Sequence, residues 1–444
     1  MMRILTSDQA ATVSFWSQRR WCCQFGLMKN LLIEKTVSVS SMKIIHTSDW
    51  YLGSRFFGHD RKKEMLHFFD WLLEAIRLRV PDVLVVSGNV FDSAMPEAWA
   101  EGACHDFLKQ ATETVPGLQV VIVAGQRDSA EGFEARRKFM AERNIHVRGL
   151  VSKTDSGKPD VDDLIIPLKN RDTGQVECIC FALPYLRGSD MMPDRGMAAS
   201  LRNYYDACLS RIRRSEWANV PCIATGHFYA ANAFIDTTEH YERIVPDGNG
   251  KVDTNSLSDS FCYIALGMVD KAQCVNNRPA AYYAGSPLPM TFSEKKNNFG
   301  VNIVDVSISG GVNVSHLDYT PLRNLLTVPQ NGEISPDRMR YELDKLPERQ
   351  AGESDAKWPY IEMKVMEHSE PELINEVMKK METKAVRFCR ITATHRPANR
   401  QEDASQLERL RTITPLEMAQ RIYREEKDEY MPAEVEKRFR ELDY

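Results

Sequence analysis

Five times between Lys43 and Asp270 a short apolar run, rich in β-branched residues, stops at a polar cluster: "KIIHTSDW" from Lys43, "VLVVSGNVFD" from Val83, "VVIVAGQRD" from Val120, "CIATGHF" from Cys222 and "YIALGMVD" from Tyr263. Each run predicts a buried strand that delivers polar side chains at its C-terminal end. Helix-like stretches separate the first three. In "RKKEMLHFFDWLLEAIRLRV" the spacing places Leu66, Phe69, Leu72, Leu73 and Ile76 on one stripe. Strand and helix in alternation imply an α/β sheet with its site along the strand ends.

A glycine after a strand permits a tight turn and close backbone approach, so the residues behind it face a shared cleft. Taken singly, each loop reads as an ordinary strand-to-helix connection whose Asp and Asn side chains cap helices. Five loops with the same grammar favour a composite site, since binding residues gather on loops held by a rigid scaffold. With 444 residues, 43% of them hydrophobic, the chain is expected to form two or three domains. A net charge of −5 excludes a global basic footprint, so any nucleic-acid contact must rest on local patches. The ten cysteines form no CxxC pair, and no apolar run is long enough to span a membrane. A reducing cytoplasm is the expected compartment. Cys22 with Cys23, and Cys178 with Cys180, read either as metal or redox pairs or, the favoured reading, as small buried residues. Residues 1–41 look unlike the rest of the chain and lack the core and cleavage site of a secretory signal; Met42, which leads directly into the first strand, is the expected native start.

The same five clusters stand in the order of the D-x-H, G-D-x-x-D, G-N-H-D, G-H and G-H-x-H motifs of calcineurin-like metallophosphoesterases. Here they are "DWY" (Asp49 to Tyr51), "GNVFD" (Gly88 to Asp92), "GQRD" (Gly125 to Asp128), "GH" (Gly226, His227) and "GMVD" (Gly267 to Asp270). With the surrounding "HTSDW", "LPYLR" and "AGSPLPMTF", the chain resembles the SbcD type of DNA nuclease subunit, closely over residues 42–292 and more weakly beyond. The resemblance implies a metallophosphoesterase-type αββα sandwich over residues 42–320, a small α/β capping domain over 337–398, and a C-terminal helix-loop-helix over 405–444. It implies Mn2+ as cofactor. It also implies a heterotetramer with two copies each of this subunit and an SbcC-like ATPase, acting on DNA ends or hairpins and not on membranes. The family activity is 3′–5′ exonuclease cleavage of duplex ends and endonuclease cleavage of hairpins or single strands, in DNA recombination, replication and repair.

The motif residues themselves are largely replaced. Asp49 and His227 keep their family types, and Asp270 offers a carboxylate where the family has an imidazole, so these three form the candidate metal set. The former metal positions hold Tyr51, Asn89, Gln126 and Met268, and Arg127 stands where the family has its catalytic His. No catalytic residue is assigned in this chain. Two-metal hydrolysis requires a bridging anion between two dications, and the neutral amide of Asn89 does not supply it. A guanidinium about 5 Å from a dication, at an effective dielectric of about 20, adds repulsion on the order of 6 kcal/mol. Arg127 therefore admits two roles: a metal-free phosphate clamp, or a plug paired with Asp49, Asp92, Asp128 or Asp270. Three functional expectations stay open at this point: a DNA-end and partner-binding scaffold, an active phosphodiesterase built on Asp49, His227 and Asp270, and a regulatory binder of a phosphorylated small molecule.

After a Pro- and Asn-rich connector over 320–336, "WPYIEMKVMEH" predicts a strand with Ile361, Met363 and Val365 on one face. A helix with Leu373, Ile374, Val377 and Met381 and a second strand, "AVRFCRITATHR", come next. Lys379, Lys380, Arg387 and Arg390 read as a phosphate patch or as solvated surface charge. In the final segment Thr414, Pro415 and Glu417 sign a helix start. Two amphipathic helices carrying Leu416, Ile422 and Tyr423, then Val435 and Phe439, have no core of their own. They are expected to dock onto the chain's own body or, as the resemblance implies, onto the ATPase partner.

Overall fold

The computed structural model describes residues 41–192, 196–235, 251–277, 279–366 and 371–393, and from the final segment residues 423, 431, 432 and 435. The fold is mixed α/β with several sheets. By its contacts the chain divides into two units. One comprises residues up to Thr327 with Pro347–Glu362 and Thr383–Arg390, the other Val328–Leu346 with Met363–Glu382 and the residues from Ile391 onward.

The first unit is built on two six-stranded sheets. In the first, the order is Val312–Tyr319, Phe299–Ser307, Ser41–Thr47, Val83–Ser87, Gln119–Val123 and Ile145–Arg148. The last four run parallel, with Ile44 opposite Val83 and Leu84 opposite Val120, while Phe299–Ser307 pairs antiparallel to Ser41–Thr47. In the second sheet the order is Gln273–Asn277, Ala280–Tyr283, Phe261–Gly267, Cys222–His227, Val176–Phe181 and Ile165–Lys169. Its four inner strands are again parallel and its two edges antiparallel. All five predicted strands are present.

Their central residues are apolar on both sides because both faces are covered, as parallel sheets require. Ile45, Leu84, Val86, Val120 and Ile122 pack with Phe68, Phe69, Leu72, Phe107 and Phe133 from the helices Lys62–Arg79, Ala98–Thr114 and Ala130–Ala141. The alternate residues Ile44, Val83, Val85, Val121 and Val123 share a second core with Leu168, Cys178, Cys180, Ile223, Tyr263 and Ala265 of the other sheet. On the far side of that sheet, Ile179, Ile264 and Leu266 pack with Leu201, Tyr205 and Leu209 of the helix Gly196–Ile212. Cys178 and Cys180 are free, buried thiols, and burial pushes the Cys180 thiol up to about 12. Such thiols are inert packing groups.

One buried group crosses between the sheets. His46 Nδ1 lies 2.8 Å from the Tyr263 hydroxyl and its Nε2 lies 3.2 Å from Ser87 Oγ. Burial lowers its pKa to about 3, only partly opposed by a backbone hydrogen bond.

Three details depart from the sequence reading. The buried stripe of the first helix runs through Met65, Phe68, Phe69, Leu72 and Ile76, whereas Leu66 is exposed. Met65 and Leu66 are both apolar, and the sheet selects the register that also buries Phe68. Within the expected connector the chain forms a strand, Leu325–Val328, and at the connector's last residue a helix begins, Pro336–Asp344. Ser335 caps that helix by accepting from the Arg338 amide, with proline in its first turn. Finally, three of the four basic residues weighed as a phosphate patch are in ion pairs: Lys380 with Asp344, Arg387 with Asp355 and Arg390 with Glu362.

The predicted strand, helix and strand beyond the connector are Tyr360–Val365, Pro371–Met381 and Arg387–Ala393. Ile361, Met363, Val365, Val377 and Met381 are buried. Leu416, Ile422 and Phe439 lie outside the described residues, as do the helix-start residues. Tyr423 and Val435 are helical, half-buried and exposed respectively. No helix among the described residues is long and apolar enough to cross a membrane.

Candidate functional site

The polar clusters all stand at or just past the C-terminal ends of parallel strands: Asp49 and Tyr51, Asn89, and Gln126 to Asp128 from the first sheet, His227, Met268 and Asp270 from the second. The backbone there is strained. Asp49, Tyr51, Asn89 and Met268 have φ of 53°, 47°, 50° and 108°. Non-glycine residues rarely adopt such angles except where the surrounding structure enforces them, commonly at functional sites. The strands also approach closely. A Cβ on Gly88 would stand 2.4 Å from His227 Nδ1, and one on Gly267 would stand 1.9 Å from the Ser87 carbonyl oxygen.

Asn89 is the hub. Its Oδ1 accepts the Arg127 amide at 3.1 Å, which fixes the orientation of the side chain because a backbone N–H only donates. Its Nδ2 therefore donates to Asp49 Oδ1 at 2.9 Å and lies 3.3 Å from the Tyr51 hydroxyl. The Asp49 carboxylate also accepts the Met268 amide, at 3.0 Å. One buried amide thus joins the first, second and third loops, and Asp49 extends the network to the loop after Gly267. Asp128 adds a second tie: its carboxylate accepts from the amides of Gly125, Phe91 and Val90 at 2.7, 2.9 and 3.3 Å. Burial raises its pKa, against the lowering effect of those amides.

Arg127 pairs with Asp92, Nη1 to Oδ1 at 2.6 Å, and its guanidinium carbon lies 5.1 Å from the centre of the Tyr51 ring. Of the four acids considered for it, the geometry selects Asp92. The pair is about a quarter exposed, at 26% and 28% of the side-chain surface, so the guanidinium stands at the mouth of the cluster. Gln126 beside it is half-buried.

His227 is buried, and its Nδ1 lies 2.8 Å from the Ser87 carbonyl, which places the proton on that nitrogen. Its Nε2 has no hydrogen-bond partner among the described residues. Asp270 is buried as well, its backbone carbonyl accepting from Ser286.

These residues do not fit a pair of divalent metals. The carboxylate of Asp49 is occupied by two N–H donors, the position of the bridging anion holds an amide that donates, and a fixed guanidinium stands over Tyr51. Among the described residues no group of three or more His, Cys, Asp or Glu is arranged to hold a metal ion. Asp49, His227 and Asp270 thus share one end of the sheets without forming such a group.

Arg187 carries no functional signal in the sequence, although it closes the "LPYLR" run. Its Nη2 donates to the carbonyls of Asp128 and Gly125 at 2.9 and 3.3 Å, holding the Arg127 loop from behind. Arg187→Ala is expected to cost about 1–3 kcal/mol in urea denaturation by leaving those carbonyls short of a charged donor. Arg187→Lys should recover only part, because an ammonium lacks the planar fork. Equal stability of both variants and the parent would show that the loop holds itself.

Residues 337–427 match the family model described as the type 5 capsule protein repressor C-terminal domain. Over 314 residues the chain is 28% identical to the SbcD component of the SbcCD nuclease of Rhodobacter capsulatus, covering 69% of this chain and 76% of that protein. It is 29% identical over 281 residues to the SbcD component of the same nuclease in Escherichia coli, with 60% and 65% covered. It is 28% identical over 276 residues to the protein of the same name from Bacillus subtilis, with 60% and 66% covered. The chain therefore spans about two thirds to three quarters of the length of these relatives.

Proposed function

Because the chain is SbcD-like, we propose that it serves as the SbcD-type member of an SbcC–SbcD-type DNA-end-processing complex in which cleavage has been lost and holding of DNA ends and of the ATPase partner remains. The observation that carries this is the hydrogen-bonded closure of the old metal position by Asn89. A neutral amide now holds together loops that a metal pair would require to be anionic. The paired cores support reading the first unit as an αββα sandwich; the capping domain over 337–398 rests on the resemblance alone. The terminal residues Leu416, Ile422, Tyr423, Val435 and Phe439 are assigned to an SbcC-like ATPase, as expected for amphipathic segments without a core of their own.

Of the two roles weighed for Arg127, the pairing with Asp92 favours the plug. An active mononuclear phosphodiesterase on Asp49, His227 and Asp270 is disfavoured by the occupied carboxylate of Asp49. The deciding experiment is cleavage of labelled duplex and hairpin DNA with Mn2+ by the chain copurified with its ATPase partner, beside Asp49→Ala. Neither preparation should cleave, while both retain DNA. Cleavage that vanishes in Asp49→Ala would refute the loss of catalysis, and absence of DNA binding would refute the holding role.

A further inference from the structure

Away from the strand-end cluster, the first unit contains a cavity of about 230 Å³ between the turn Phe292–Lys296 and the residues just after the strand Val312–Tyr319. Its charged and amide lining residues are Lys295, Asn297, Asn298, Asp318, Arg323 and Asn324. Asp318 turns most of its side chain, 78%, to solvent. The Lys295 ammonium donates to the Thr327 hydroxyl at 3.2 Å.

The wall is richer in positive charge than in acids. Arg323 is buried; its Nη1 donates to the carbonyls of Asp355 and Trp358 at 2.7 and 2.9 Å. Its Nε has no hydrogen-bond partner among the described residues and lies 3.7 Å from Glu64. Glu64 is itself shared with Arg61, at 3.2 Å, and with the Tyr360 hydroxyl, at 2.6 Å. Asp355, the other neighbouring carboxylate, takes Lys63 at 2.7 Å and Arg387 at 2.6 Å. Glu294 faces Arg61 too, but burial shifts it toward its neutral form. Four cations thus lean on Glu64 and Asp355, and a buried guanidinium without full compensation is costly. Burial and the neighbouring Arg387 accordingly lower the Arg323 pKa.

We propose that this cavity binds a small phosphate-bearing anion, recognised by Lys295 with the Asn297, Asn298 and Asn324 amides as further donors, while the buried charge of Arg323 behind the wall adds electrostatic attraction. A phosphate is small enough for the volume and presents the oxygens these donors require. The inference is independent of the DNA-end reading, since the cavity shares no residue with the strand-end cluster.

The test is calorimetric titration of the full chain with inorganic phosphate, beside chloride at equal ionic strength. One equivalent should bind, and Lys295→Ala should weaken it about tenfold, the worth of one charge-assisted hydrogen bond. Arg127→Ala should leave it unchanged. Arg323→Gln should weaken binding if it folds; Lys295→Ala, at an exposed position, carries the test if it does not. No heat beyond the chloride control, or binding lost in Arg127→Ala and kept in Lys295→Ala, overturns the proposal. So does a Lys295 dependence seen with a short duplex and absent with inorganic phosphate, which would assign the site to a nucleic-acid backbone.

Discussion

Asn89→Asp should lose about 5 kcal/mol of stability at neutral pH, the Coulomb repulsion of two carboxylates about 3 Å apart at an effective dielectric of about 20. The amide that now donates to Asp49 at 2.9 Å would become an acceptor facing an acceptor, in a place where both side chains are fully buried. The loss should shrink as pH falls through the carboxylate range, where the pair can hold a proton between them. Manganese separates this reading from a merely bulky or polar defect. Added Mn2+ should restore part of the stability of Asn89→Asp, because two adjacent acids attract a dication, and should leave the parent unchanged, as should a chelator. Thermal denaturation with and without the ion reads both. A parent chain stabilised by Mn2+ would mean that the strand-end cluster still takes a metal, and the assignment of Asn89 as its replacement would fail.

The second large effect is acid lability through His46. Its pKa lies near 3 in the folded chain against about 6.5 when unfolded, so the unfolded state takes up a proton that the folded state refuses. The contribution is therefore fully present above about pH 6.5 and is lost progressively as pH falls toward 3. Each unit costs about 1.4 kcal/mol, for a total on the order of 5 kcal/mol. His46→Gln keeps a polar group between Ser87 and Tyr263 and cannot titrate. It should be modestly less stable than the parent at pH 7, by about 1 kcal/mol, yet fall off less steeply on acidification. Urea midpoints at pH 7, 5 and 4 decide the matter, and parallel decline of the two proteins would assign the acid limb to other groups.

The architecture was legible because it depends on runs long enough for alternation and burial to speak. The five strands, the helix Lys62–Arg79 and the strand-helix-strand order beyond Trp358 all rest on such runs. Register within the first helix was not, since neighbouring Met65 and Leu66 are equally apolar and only the sheet decides between them. The helix Pro336–Asp344 hid behind the prolines and glycine around it, although Ser335 with Pro336 is a recognisable start. At the site, the sequence shows what Asn89 lacks, a charge, and not what it gains, which depends on Asp49 and Arg127 being brought to either side of it. Likewise the partner of Arg127 had four candidates, and only the geometry of the loop ending at Asp92 selects one. The role of Arg187 and the shared burden on Glu64 involve residues far apart in the chain, beyond the reach of any local pattern.

The pairing of Ile44 with Val304 carries a consequence for how this protein is made. The strand that opens the first sheet is an interior one, and its antiparallel neighbour is among the last of that sheet to leave the ribosome. Until residues 299–307 emerge, Ser41–Thr47 presents a bare edge of unpaired backbone groups, the kind of surface that recruits other nascent chains. Long-range pairing of this sort slows folding, so chaperone cover during synthesis should raise the yield of folded chain. A stop codon anywhere before Phe299 should yield aggregates rather than a smaller folded product.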